Sequence, residues 1–160
     1  MATVTRTLTV NAAFLQEIKE DNRQLQDLFQ HTLALLNSPR SKRIQPRRIV
    51  RYFCWLRDQL ALHFSLEDAY GYFEDAIEEA PRLSDEAEHL HAQHDDLFHE
   101  ICELVEDAEQ LMYHERPCGY RQQTELAVRF YRFHARFQEH ETRENQLVLD
   151  AFDQDIGVGD

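Results

Sequence analysis

The sequence predicts an all-α protein, an up-down-up-down antiparallel four-helix bundle. Three observations point there. Apolar residues recur at three- and four-residue spacing through four long stretches. Glycine and proline number four each in 160 residues and fall mostly where those stretches stop, which is too few for the turns of an all-β fold. The breaks between stretches are short, and short connections make neighbouring helices antiparallel. A chain of this length is read as one domain, 1–160. It buries roughly 68–70% of its unfolded surface on folding and needs no covalent staple.

The first helix is expected over about 12–37, capped by Asn11. Its stripe runs through Leu15, Ile18, Leu25, Leu28, Phe29, Thr32, Leu33 and Leu36, with one polar interruption at Asn22. It ends at Asn37-Ser38-Pro39, because a residue before proline is pushed out of helical geometry. Arg40 to Arg48 is a basic connector, which could also seat an anion or an acidic partner. The second helix, about 47–80, follows Pro46, a residue suited to a first helical turn. Its inward line is Ile49, Phe53, Leu56, Leu60, His63, Glu67, Tyr70 and Phe73 or Glu74. That is long for a globular helix, which leaves a bend or break near Gly71 open.

The third helix, about 84–113, is capped by Ser84 and Asp85. It turns Ala87, Leu90, His94, Leu97, Ile101, Leu104, Ala108 and Leu111 inward. Pro117-Cys118-Gly119 breaks the chain. The fourth, about 120–152, carries Leu126 or Ala127, Phe130, Phe133, Phe137, His140, Glu144, Leu147 and Ala151. The acidic tail 153–160 is expected to fray.

Composition excludes several function classes. A net charge of −13 repels phosphate backbones and anionic lipid, so neither nucleic acid nor membrane is expected as a partner. The sequence has no apolar run long enough to span a bilayer. The start, MATVTRTLTVNAAF, does not read as a secretory signal, though its Arg and Thr without acid leave a short transit peptide open. Cys54, Cys102 and Cys118 are odd in number and lack CxxC spacing. They fit a reducing compartment, expected to be cytoplasmic, with no disulfide framework and no thiolate zinc site.

The chemistry-bearing residues lie within the apolar stripes. His63 and Glu67 are four apart on one helix face, and His140 and Glu144 repeat the spacing and order. In an antiparallel bundle, residues equally far from a loop share a height, at about 1.5 Å per residue. Counting from loops near Ser41, Pro81 and Pro117 puts Asn22, His63/Glu67, His94 and His140/Glu144 in one layer. Buried imidazoles and carboxylates are costly unless something neutralises them, and a metal centre does so. The donors His63, Glu67, His94, His140 and Glu144 suit iron, manganese or zinc. A single histidine in an apolar stripe is more often a hydrogen-bonded core residue, and a buried His/Glu network is the plain alternative. Two HxxxE pairs and a third histidine at one level are harder to obtain by accident.

The other histidines fail on height or direction. His31 lies near the first loop, His99 points away from the His94 face despite Glu103, and His134 is off the inward line. His89 and His114 read as exposed. His91 remains open as an extra ligand. Glu86-x-x-His89 has ferritin-type spacing but no level partner.

In this order the motifs resemble the hemerythrin-like (HHE cation-binding) family, whose pattern is a His on helix one, HxxxE on helix two, a His on helix three and HxxxE on helix four. The matches are His63-Phe64-Ser65-Leu66-Glu67-Asp68, Gln93-His94-Asp95-Asp96-Leu97-Phe98 and His140-Glu141-Thr142-Arg143-Glu144-Asn145, within a resemblance from about Phe14 to Phe152. The departure is Asn22, where the family carries its first His. The resemblance implies a diiron centre with His63, His94 and His140 as terminal ligands and Glu67 and Glu144 bridging. It implies a small ligand such as dioxygen, nitric oxide or peroxide. Without the helix-one His, the second metal is expected to bind more weakly unless Glu20, Asp21 or water fills in, and reversible dioxygen carriage is put in doubt. Tyr70 is expected to be a core residue or to support the site from one turn beyond Glu67. Three functions follow: a metal protein that senses or handles dioxygen, nitric oxide, peroxide or iron; an iron- or peroxide-handling redox enzyme at the same site; and a metal-free interaction module. A histidine phosphotransfer bundle would need an exposed His, and these point inward.

Overall fold

A computed structural model describes residues 20–37, 44–69, 72–113 and 120–156, and among them there are helices and no strand. Helix α1 occupies 20–36, α2 Pro46–Ala69, α3 Tyr72–Glu79, α4 Ser84–Tyr113 and α5 Tyr120–Ile156, with a 3-10 turn at Pro81–Leu83 before α4. The long helices α1, α2, α4 and α5 form the bundle. Helix α2 packs on α4, and α4 on α5. Helix α1 closes the ring, because Phe29 meets Phe130, Phe133 and Phe137 of α5 at centroid distances of 6.1, 6.1 and 5.1 Å. Those separations suit offset and tilted aromatic pairs. Phe53 of α2 stacks on Phe130 at 5.1 Å and ties the far side into the same core.

The stretch expected as one helix over 47–80 is divided. Helix α2 stops at Ala69 and α3 starts at Tyr72. Gly71 stands between them, and glycine in a helix interior costs about 1 kcal/mol relative to alanine. Pro81 opens the 3-10 turn, whose Leu83 amide donates to the Ala80 carbonyl at 2.9 Å. Helix α5 runs on to Ile156, past the expected end near 152. The expectations for Asn11, Tyr70, His114 and Cys118, and for residues 40–43 of the basic connector, lie outside the described residues, while Pro46, Arg47 and Arg48 at the end of that connector already belong to α2.

The core has two apolar parts. The larger holds Leu25, Phe29, Phe53, Leu60, Phe64, Leu97, Phe130 and Phe137, among others. The smaller holds Ala80, Leu83, Ala87, Leu90, Leu147 and Ala151, with Ile77 of α3 packed against it. The numbering along α4 and α5 shows what separates them. On α4 the apolar line passes from Leu90 to Leu97 through His94; on α5 it passes from Phe137 to Leu147 through His140 and Glu144. A polar layer therefore crosses the bundle between two apolar blocks. Helix α3 contacts both α4 and α5. With the 3-10 turn it closes the bundle beyond that layer.

Candidate metal centre

Each helix brings its polar side chain inward by the same 3.6-residue phase that turns its apolar residues in. On α2 the buried line Leu56, Leu60, His63, Phe64, Glu67 is continuous. His94, His140 and Glu144 are buried in the same way on α4 and α5. All five sequence-predicted residues therefore meet in one layer.

Glu67 sits at its middle. Its Oε1 lies 3.1 Å from His63 Nε2, and its Oε2 lies 3.1 Å from His94 Nε2. His94 Nε2 is also 2.9 Å from Glu144 Oε1, which is 2.7 Å from His140 Nε2. The three imidazoles thus turn Nε2 toward the carboxylates. Two are held from behind. His63 Nδ1–H donates to Asp21 Oδ2 at 2.6 Å, and His140 Nδ1–H donates to Gln93 Oε1 at 2.8 Å. A hydrogen bond at one ring nitrogen fixes the tautomer and leaves the other as a lone-pair donor, the usual support of a metal-bound histidine. Phe64 lies flat on His94, centroids 4.2 Å apart and planes within 16°, and fixes that ring.

Two groups place their ligand atoms within 4.8 Å of one another: His94, His140 and Glu144, all buried, and His63, Glu67 and Glu141, of which Glu141 is half-buried. A third, Asp68, His91 and His94, lies toward the surface. Neighbouring ligands of an octahedral ion bonded at about 2.1 Å stand about 3.0 Å apart. The 2.7–3.1 Å separations within the layer match that edge. Glu67 Oε2 and His140 Nε2 are fully buried and make no aligned hydrogen bond. Atoms placed close together but not aimed at one another are what a ligand set around a shared ion leaves.

The model of the hemerythrin HHE cation-binding domain matches residues 13–152. The chain belongs to that family. No curated relative and no solved structure matches it.

Two further side chains complete the layer of this HHE domain: Asp21, which the sequence offered only as a substitute beside Glu20 or water, and Glu141, which it did not single out. On α1 the buried residue is Asp21, only 6% exposed, whereas Asn22, the expected occupant, is half-buried. Asp21 is four residues before Leu25 and eight before Phe29, which puts it in phase with the buried face. Its Oδ1 accepts from Gln59 Nε2–H at 2.9 Å, so both carboxylate oxygens are engaged. Glu20 is exposed and pairs with Arg23 at 2.7 Å. The second is Glu141, whose Oε1 is 2.8 Å from His63 Nε2. Its one signal in the sequence is that it follows His140, and adjacent helical residues diverge by about 100°.

The remaining histidines among the described residues stay out of the HHE layer. His31, His89 and His99 are exposed, with His99 on Glu103 at 3.2 Å. His91 is exposed and bonds Asp68 at 2.9 Å rather than reaching inward. His134 is half-buried against Phe29 at a centroid distance of 4.8 Å, and burial pushes its imidazole toward the neutral form.

Ionisation within the layer is set by competition. Burial pushes the His63 imidazole toward neutrality, but Asp21, Glu141 and Glu67 outweigh it and raise its pKa to about 12. Burial also opposes charge on His94, and Glu144 and Glu67 raise it to about 9. Burial would raise Glu67, yet His63 and His94 hold it down at about 2. For Glu141 burial wins over His63, and its pKa is raised. In the metal-free protein, protons on imidazoles thus balance carboxylates where a metal ion would otherwise do so.

Proposed function

We propose that this HHE domain is a non-haem metal protein holding a pair of metal ions, iron foremost with manganese or zinc as alternatives. Its role would be to sense or handle dioxygen, nitric oxide, peroxide or iron. The observation that carries the reading is Glu67, one carboxylate with an oxygen 3.1 Å from a histidine on each of two helices. A carboxylate so placed serves two ions at once. His63, His94 and His140 would be nitrogen ligands through Nε2, and Glu67 and Glu144 shared carboxylates. Bound iron would supply an open coordination position and one-electron chemistry for a small ligand.

The rest is work done by the chain. Asp21 and Gln93 hold His63 and His140 in the tautomer that presents Nε2. The apolar blocks on either side exclude bulk water and so strengthen the electrostatics between them. A cavity of about 170 Å³, lined by His89, Gln93, Arg136, Glu139, His140 and Arg143, approaches the layer between α4 and α5 and is large enough for a diatomic or peroxide. With Asp21 bonded to His63 and Asn22 half-buried, α1 offers no imidazole in the described layer, which supports a role other than reversible dioxygen carriage. Cys54 and Cys102 are free, half-buried thiols, in keeping with a reducing, cytoplasmic setting.

The test is elemental analysis of protein purified without added metal, then anaerobic addition of ferrous iron followed by air. Close to two irons per chain and a near-ultraviolet charge-transfer band are expected, both strongly reduced in His94→Ala. No uptake by the native chain would defeat the reading in favour of the metal-free module. Steady consumption of oxidant per iron, lost in Glu144→Ala, would assign the enzyme instead of the sensor.

A further inference from the structure

We propose that Glu141 is a ligand on the His63 side of the layer, and that this position takes an oxygen-preferring, manganese(II)-class cation more readily than the His94–His140 position does. The inference rests on the two-metal reading above.

The donor sets of the two positions differ. On one side, His94 and His140 supply two nitrogens to Glu144. On the other, His63 supplies one nitrogen, and Glu67 and Glu141 supply oxygens. Glu141 Oε1 is closer to His63 Nε2, at 2.8 Å, than Glu67 Oε1 is, at 3.1 Å. Glu141 reaches from α5 to α2, and its side chain is 17% exposed. Helix α1 cannot make up the missing nitrogen. Its one buried polar group near the layer, Asp21, already accepts from Gln59 and from the far side of His63. Asp21 is therefore a positioning residue: it aims Nε2 inward and binds no ion itself.

Glu67 provides a second, independent pointer. Its Oε2 is buried and makes no aligned hydrogen bond, although it faces His94. An oxygen held this way fits a carboxylate shared between an oxygen-rich ion and a nitrogen-rich one. Charge agrees: with imidazoles neutral, Asp21, Glu67, Glu141 and Glu144 are balanced by two divalent cations. Carboxylate-rich sets suit manganese, and imidazole-rich sets suit iron or zinc. Absolute affinities still favour iron at both positions, so the difference appears as a distribution between them.

The experiment loads the full chain anaerobically with equimolar manganese(II) and iron(II) and reads each position by anomalous diffraction at the two absorption edges. Manganese is expected several-fold enriched at His63. Glu141→His should abolish the enrichment. Glu141→Gln keeps the shape and should weaken the His63-side equivalent at least about tenfold, leaving the other unchanged. Asp21→Asn should keep two equivalents while weakening only that same one. Equal manganese at both positions, or two unchanged affinities in Glu141→Gln, would overturn the inference and leave the two-metal reading standing. A native chain that binds no metal would bring down both.

Discussion

At the residue scale the layer is a balance of opposing charges, and its pH dependence follows from the direction of each shift. His63 and His94 have pKa values raised to about 12 and about 9. Their contribution to folding is full below about 6.5 and is lost as pH rises through 9 and then 12. Glu67 is held down at about 2, so its contribution is full above about 4.5 and is lost as pH falls toward 2. The metal-free protein should therefore be most stable between roughly pH 4.5 and 6.5 and should weaken toward pH 9. Thermal unfolding in chelator across that range measures this, and a flat profile from pH 6.5 to 9 would contradict it. Metal ions require neutral imidazoles, so uptake should also release protons.

The same scale shows where sequence reasoning ran short. The phase of α1 admits either Asp21 or Asn22, since both fall three or four residues before Leu25. A few tens of degrees of helix rotation decide between them, and only packing against α2 and α5 sets that rotation. Glu141 was illegible for a related reason. Its target lies on another helix, and nothing local to α5 encodes that distance.

At the element scale, the four long helices were legible because each carries an apolar stripe that must be buried. The division of α2 from α3 was legible in part, through Gly71. What α3 does was not legible. Its eight residues read as the tail of a long helix, yet they form a separate helix packed against both α4 and α5. The small apolar cluster there, with Ile77 of α3 packed against it, lies next to the histidine layer along α4 and α5. Leu147, one turn beyond Glu144, is the larger of its two buried side chains from α5, the other being Ala151. Leu147→Ala should cost about 2–5 kcal/mol in chemical unfolding, by the usual cost of an emptied core site. It should also speed metal release, because the cavity opens beside the ligands. Unchanged release together with a lowered stability would separate packing from protection of the layer.

At the scale of the whole molecule, stability and metal binding are linked. A ligand that binds only the folded state stabilises it by about 4 kcal/mol at a thousandfold excess over its Kd. In a domain of this size that corresponds to a rise in Tm on the order of 10 °C. Chelator should lower the Tm of metal-loaded protein by that amount, and re-addition of metal should restore it. A Tm indifferent to chelator would mean that the layer is held by its own ion pairs alone. The surface adds little to this balance. Exposed pairs such as Arg23–Glu20 and Arg121–Glu125 are screened by solvent and add little. No helix among the described residues is long and apolar enough to cross a membrane.

The sequence by itself determined four amphipathic helices, their antiparallel order, and the level at which His63, Glu67, His94, His140 and Glu144 meet. Helical period and loop position are local quantities, and together they set height along a bundle. The tertiary structure alone decided which way each helix is turned and how far each side chain reaches across. That is why Asp21 displaces Asn22, why Glu141 joins His63, and why the layer is nitrogen-rich on one side and oxygen-rich on the other. Rotation and reach depend on the packing of all four helices at once, and no window along the chain contains that information.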